Sequence, residues 1–146
     1  MKPLSYLLLL GMIALTPGVM AQAPELLIDS CANAAGDDAT YLKDFLVILP
    51  GVSEGERAPV ARYPLVLSKN NIYRFSVCSS SDPGGKAILK LYDSNRMIFS
   101  SHNDDTGEEF NPFNFMCQKT GIYHVFISFQ EGKAGQAVGI LSYVTK

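Results

Sequence analysis

The stretch that decides the fold is IYHVFISF, residues 122–129. Large apolar side chains stand at alternate positions, with polar ones between some of them: Tyr123, Val125, Ile127 and Phe129 against His124 and Ser128. This period of two is typical of a β-strand with one buried face, because successive side chains of an extended chain point to opposite sides. The segment therefore predicts a half-buried strand, and with it a sheet.

Similar short runs lie before and after this segment, separated by Gly, Pro, Asn, Asp and Ser. Brief, regular and numerous runs of this kind are typical of an antiparallel sandwich or barrel. Pro64 falls within one of them and predicts an edge strand or bulge there, because proline donates no hydrogen bond to a ladder. The predicted strands are residues 41–49, 61–67, 71–78, 87–92, 97–101, 113–117, 122–129 and 137–144. No helical period is sustained, so we expect an all-β domain of about eight strands.

The first 21 residues predict a secretory signal peptide. Lys2 precedes an uncharged apolar run over residues 4–15, and small residues follow. Cleavage after Ala21 or after Ala23 fits this order, and Ala21 is favoured because the other cut would place Pro24 beside the scissile bond. The alternative is a membrane anchor, but the apolar run is shorter than the roughly 20 residues that a spanning helix needs. We expect an exported protein, periplasmic or extracellular, with no membrane span in the mature chain.

Composition predicts one modest globular domain. The chain has 146 residues, of which 47% are apolar, and this supplies a core of ordinary size. We expect a signal peptide at residues 1–21, a flexible N-terminal segment at 22–40 and a single β-sandwich domain at 41–146. The formal net charge of −2 and the absence of a Lys/Arg cluster argue against a nucleic-acid partner, because phosphate binding needs a concentrated basic face.

The three cysteines, Cys31, Cys78 and Cys117, predict one disulfide and one remaining thiol in an oxidising compartment. All three pairings are open. Cys78 with Cys117 is favoured because each ends a predicted strand, although their strand parities place them on different faces, and a bridge needs Cα atoms within about 7 Å. The spacings contain no CxxC, so a structural zinc site has little support.

Residues 71–144 resemble the bacterial pre-peptidase C-terminal domain. The matching segments are YRFSV, LKLYDSNRMIFSS, KTGIYHVFISF and AVGILSYV, in that order. They follow the family's pattern of an aromatic strand, a leucine-tyrosine-aspartate turn, and a glycine before a tyrosine strand. The resemblance implies a small jelly-roll-like β-sandwich of the kind appended to secreted proteases and other exported proteins. Here it implies a stand-alone module, because no peptidase precedes it. The predicted fold class is thus an all-β, antiparallel, jelly-roll-like β-sandwich after a signal peptide.

A calcium site is one alternative function. Asp93 and Asn95 lie in one predicted turn, and Asp104 and Asp105 lie in an acidic loop about ten residues later. Calcium takes six to eight oxygen ligands from such groups. The D-x-D-x-D-G spacing of a calcium loop is absent, and the strand at 97–101 would separate the two turns. Calcium is the one cofactor that the residues suggest.

A carbohydrate-binding surface is a second alternative, because sugars stack on aromatic side chains. The candidates for such a platform are Tyr92, Phe99, Phe110, Phe113 and Tyr143. The absence of Trp weakens this hypothesis, and most of these aromatics are expected in the core.

Catalysis has little support in the sequence. Ser101, His102 and Asp104 could be drawn as a triad, but neighbours in an extended strand point to opposite faces and cannot form serial hydrogen bonds. His124 is expected to be a packing or surface residue. We therefore predict a non-catalytic module that acts by protein binding or assembly in the bacterial envelope, with an envelope or extracellular protein as partner. A calcium- or carbohydrate-binding accessory module is second, and a hydrolase is third.

Overall fold

The computed structural model describes residues 24–145, so the predicted signal peptide at 1–21 lies outside the described residues. Its elements are α1 (Pro24–Ala34), β1 (Ala39–Leu49), β2 (Ala61–Leu67), β3 (Ile72–Gly84), β4 (Ala87–Asp93), β5 (Arg96–Ser100), β6 (Phe113–Met116), β7 (Gly121–Phe129) and β8 (Gly135–Val144). Within this range, no helix is both long enough and apolar enough to cross a membrane.

The strands form two four-stranded antiparallel sheets, here named sheet A and sheet B. Sheet A has the order β1-β8-β3-β6, and sheet B has the order β2-β7-β4-β5. The pairs β1 with β8, β2 with β7, β3 with β6 and β4 with β5 are nested along the chain, as in one long hairpin rolled into two layers. This is the arrangement of a jelly roll. The predicted eight-stranded antiparallel sandwich is confirmed.

The core lies between the two sheets and is formed by alternate residues of each strand. Phe75 of sheet A and Leu89 and Val125 of sheet B are fully buried there. Gly139 of β8 lets the central strands approach, because a Cβ atom at this position would lie 2.9 Å from Cδ1 of Ile127. The predicted period of two in β7 is therefore the packing pattern of the sandwich.

One side of the sandwich is closed by the edge strands β1 and β2. Pro64 lies in β2, which is an edge strand as predicted. The neighbouring Tyr63 packs its ring 4.9 Å from that of Phe45 and donates a hydrogen bond of 3.1 Å to the carbonyl of Leu46. These contacts join the two sheets and occupy a backbone acceptor of β1 near the sandwich edge.

The segment 22–40, predicted to be flexible, instead contains helix α1. Glu25 in the first turn complements the helix dipole, and Leu27 and Cys31, four residues apart, lie on one face. That face packs on the outer side of sheet A against Val138 and Ile140 of β8. An 11-residue helix is marginal alone, so its packing on the sheet stabilises it.

The disulfide joins Cys31 of α1 to Cys78 of β3, with a Cα–Cα distance of 5.8 Å. The predicted pair Cys78 with Cys117 is wrong. Cys78 points to the outer side of sheet A, where α1 lies, whereas Cys117 is buried with the core residues between the sheets. The opposite strand parities of the two residues are the physical reason, because they place the sulfur atoms on different sides of the sheet.

The C-terminal end of α1 is held by Arg74 of β3. Its Nη1 donates hydrogen bonds to the carbonyl of Ala35, at 2.5 Å, and to Oδ1 of Asp38, at 2.6 Å. The hydrogen bond from Arg74 holds the pKa of the Asp38 carboxyl below its ordinary value. Packing, a disulfide and an ion pair together attach α1 to sheet A.

Candidate functional site on the outer face of sheet B

The outer face of sheet B carries large side chains, and no helix of residues 24–145 lies on it. Cross-strand register places Val66 opposite Ile122, and Met97 opposite Tyr92. We call this surface the open face. Its residues are Arg62, Pro64, Val66, Lys90, Tyr92, Met97, Ile122, His124 and Phe126.

The apolar members of the open face are strongly exposed. Val66 is 69% exposed and its cross-strand partner Ile122 is 61% exposed, while Met97 at the other edge of the sheet is 50% exposed. Single exposed apolar residues are ordinary on protein surfaces, whereas large contiguous groups are not. Here the register places Val66 beside Ile122, and Met97 beside Tyr92.

An aromatic stack lies at the centre of the open face. The rings of Phe126 and Tyr92 are 4.5 Å apart at an interplanar angle of 26°, and the Arg62 guanidinium lies 4.9 Å from the Phe126 centroid. Arg62 and Tyr92 come from strands on opposite sides of β7, so they contact Phe126 from its two sides. Phe126 therefore presents its edge outward, whereas a sugar ring packs on an aromatic face.

The five aromatics predicted as a carbohydrate platform do not form one surface. Tyr92 lies on the open face, while Phe113 is in the core and stacks on Phe99, with centroids 3.7 Å apart. Phe110 contacts Phe99 edge to face, and Tyr143 belongs to sheet A, where it pairs with Tyr73. The partly exposed aromatics are thus distributed over several parts of the sandwich.

The charged residues of the open face are basic. Arg62 makes no ion pair with any residue that the structure describes, and Lys90 Nζ lies 3.9 Å from Oδ2 of Asp104. The whole chain has a formal charge of −2. The face therefore has a basic local character within an acidic protein.

The residues predicted to bind calcium form two separate pairs. Asp93 and Asn95 lie at the turn between β4 and β5, and Asp104 and Asp105 lie in the loop after β5. Strand β5 runs between the pairs and places them at opposite ends of the hairpin. Among residues 24–145, no group of three or more His, Cys, Asp or Glu side chains has an arrangement that could hold a metal ion.

Each predicted calcium pair contains an aspartate beside a lysine. Asp93 Oδ2 lies 3.4 Å from Nζ of Lys119, and the contact of Asp104 with Lys90 is given above. Each of these two aspartates thus lies beside a lysine and not beside the other predicted pair.

A cleft of about 370 Å³ borders the open face beside the acidic loop. His102 lines it and is held by Glu109, whose Oε1 lies 2.8 Å from His102 Nδ1. Gln130 Nε2 donates a second hydrogen bond of 3.0 Å to the same carboxylate oxygen. Burial raises the pKa of Glu109, but these hydrogen bonds outweigh it and leave the pKa lowered. The contacts anchor the loop on the sandwich.

Ser101 and His102 point in opposite directions, as predicted for neighbours in an extended chain. The Ser101 hydroxyl is buried and accepts a hydrogen bond of 2.9 Å from the backbone N–H of Leu89, inside the sandwich. His102 faces the loop and Glu109. Ser101, His102 and Asp104 thus do not have the geometry of a catalytic triad. His124 lies on the open face opposite Pro64.

The chain matches no model of a known protein family and shows no significant similarity to a curated protein. The open face itself was not among the sites predicted from the sequence. The sequence does indicate part of this face, because Ile122 and Phe126 occupy the alternate positions of β7, between the core residues. That pattern gives the direction of the side chains, but whether another element covers them depends on the tertiary fold.

Proposed function

We propose that this chain is an exported, non-catalytic β-sandwich module that binds another protein of the bacterial envelope or its surroundings through the open face. The observation that carries the proposal is the exposed, cross-strand pair of Val66 and Ile122 on the same face as the aromatic stack. Protein partners bury such contiguous apolar surfaces, with aromatic and arginine side chains as frequent anchors.

Export is supported by two features. Residues 1–21 have the order of a signal peptide, and the Cys31–Cys78 disulfide fits an oxidising compartment. The relationship to the pre-peptidase C-terminal domain belongs to the same proposal. It is supported by the nested jelly-roll pairing of the strands, together with the segments of residues 71–144 that carry the resemblance.

A protein partner is favoured over a sugar because of the geometry of the stack. Arg62 and Tyr92 occupy the two sides of Phe126, so its ring is not offered as a flat platform. The side chains around the stack include branched and thioether groups, Val66, Ile122 and Met97, which pack well against protein side chains.

The test is site-specific photo-cross-linking in the cell envelope. A photoreactive phenylalanine analogue is placed at position 122, and separately at position 48 as a matched control. Ile48 is an equally exposed isoleucine, 65% against 61%, but it lies on β1 of sheet A. We expect one discrete cross-linked protein from position 122, none from position 48, and loss of the product when Val66→Asp is added.

Equal products from the two positions, or no product from position 122, would contradict the proposal. The Val66→Asp variant must retain the melting temperature of the parent for its loss of cross-linking to count. We expect it to do so, because position 66 is mostly solvent-exposed.

A further inference from the structure

A second cleft, of about 320 Å³, lies at the edge strands β5 and β6, beside the turn between β4 and β5 and the segment between β6 and β7. We call it the edge cleft. The residues relevant to binding are Asp93, Arg96, Ile98, Phe115, Lys119 and Tyr123. Its volume is at the lower end of the range of roughly 300–1,000 Å³ for small-molecule sites.

The floor of the edge cleft is apolar and fixed. Ile98 and Phe115 are partly buried and pack against the main core. Phe115 meets the Tyr123 ring edge to face, with centroids 5.6 Å apart, and the Tyr123 hydroxyl donates a hydrogen bond of 2.6 Å to the carbonyl of Lys119. An apolar ligand group could therefore bury surface there without reorganising the protein.

The wall of the edge cleft carries an excess of positive charge. The Asp93 side chain is 18% exposed, and its carboxylate is neutralised by Lys119 at 3.4 Å. Arg96 is exposed and makes no ion pair with any residue in the described part of the chain. One guanidinium group is thus left without an anion above an apolar floor.

We propose that the edge cleft binds a small amphipathic carboxylate, with its apolar group on Ile98 and Phe115 and its carboxylate on Arg96. Guanidinium and carboxylate groups match as a pair of parallel charge-assisted hydrogen bonds. A single unpaired cation suits a monoanion. This site is separate from the open face and does not depend on the function proposed for it.

The carboxylate could belong to a free acid or to the C-terminus of a peptide. The probes are 4-phenylbutyrate and the peptide acetyl-Gly-Gly-Phe, each as the free acid and as the neutral amide. Binding to the disulfide-bonded protein is followed by amide chemical shifts in two-dimensional ¹H–¹⁵N spectra. We expect saturable shifts around the edge cleft for at least one acid, and binding at least about tenfold weaker for its amide. The acid that binds more tightly shows whether the site prefers a free acid or the C-terminus of a peptide.

The variant Arg96→Gln removes the charge at an exposed position, and Arg57→Gln is its matched control. Arg57 lies in the loop between β1 and β2, which contacts the turn before β8 at the opposite end of the sandwich. We expect Arg96→Gln to weaken acid binding about tenfold and Arg57→Gln to leave it unchanged. Arg96→Lys retains the charge but cannot donate two parallel hydrogen bonds, so its affinity for the acid should lie between those of the other two variants.

Four results would overturn the proposal: no saturable shift at millimolar ligand, equal binding of acid and amide, unchanged affinity in Arg96→Gln, or shifts that map to the open face instead of the edge cleft. None of these results bears on cross-linking from position 122.

Discussion

Strand β8 of sheet A and strand β7 of sheet B are both interior strands with large apolar side chains on their outer faces, but the surroundings of those side chains differ. In β8 the outward residues Val138 and Ile140 are fully buried beneath α1. In β7 the outward residues Ile122 and Phe126 are exposed and half-buried, respectively. An outward apolar side chain therefore has two possible roles. In β8 it belongs to a third packed layer, and in β7 it remains accessible to another molecule.

The largest expected effect is on the attachment of α1. Replacing Cys31 and Cys78 together by alanine should lower the free energy of unfolding by about 4 kcal/mol, because the bridge spans 47 residues and restricts the unfolded chain. Urea unfolding measures this loss, and reduction of the wild-type protein should reproduce it. An unchanged midpoint would mean that packing and Arg74 alone fix the helix.

The second prediction compares one substitution on the two sheets. Ile140→Ala, beneath α1, should lower the free energy of unfolding by about 3 kcal/mol, because it opens a cavity at a fully buried site. Ile122→Ala, on the open face, should change it by less than about 0.5 kcal/mol. Denaturant unfolding of both variants gives the difference directly. Equal losses would show that the open face is covered in solution.

The third prediction concerns the stack on the open face. Phe126→Leu should lower the free energy of unfolding by about 1 kcal/mol, since it removes the ring that Tyr92 and Arg62 contact. A double-mutant cycle with Tyr92→Leu isolates the contribution of the ring pair. If the two losses simply add, the rings do not stabilise each other.

The smallest predicted effect is on the pH dependence of stability, through the contact of Asp38 with Arg74 of sheet A. Because Arg74 lowers the pKa of folded Asp38 below its ordinary value of 3.8, the ionised carboxyl stabilises the fold above that value. This stabilisation is lost as the pH falls through the folded-state pKa. Asp38→Asn should therefore make the melting temperature less sensitive to acid, below a pH of about 5.

The control for this pH dependence is Asp37→Asn, the neighbouring acid, which makes no ion pair with the residues at 24–145. It should retain the acid sensitivity of the parent protein. If Asp37→Asn and Asp38→Asn give the same profile, the contact with Arg74 does not contribute to the stability of the fold.

The strands were predictable because their pattern is local. Alternation in residues 122–129 placed the core residues of β7 correctly, and Pro64 correctly indicated an edge strand. In β8 the outward Val138 and Ile140 alternate with the inward Ala137 and Leu141, so apolar residues occur at both parities. This pattern is typical of a strand buried on both faces. It was a signal that a further layer lies on sheet A.

Features that depend on tertiary contacts were not predictable from local pattern. Helix α1 is short, and its stability comes from the surface on which it packs. The disulfide followed from that packing, because Cys78 faces α1 and Cys117 faces the core. The separation of Asp93 from Asp104, by contrast, was indicated by the strand expected at 97–101, and the register of β4 and β5 has the two residues at opposite ends of the hairpin.

The remaining cysteine is an internal probe of how often the fold opens. Cys117 is 1% exposed, and its thiol is enclosed near the carbonyl of Lys119 and the Tyr123 hydroxyl. An alkylating reagent can reach this sulfur only when the sandwich opens. The rate of labelling, followed by mass spectrometry, would thus report how often the sandwich opens, without any introduced tag.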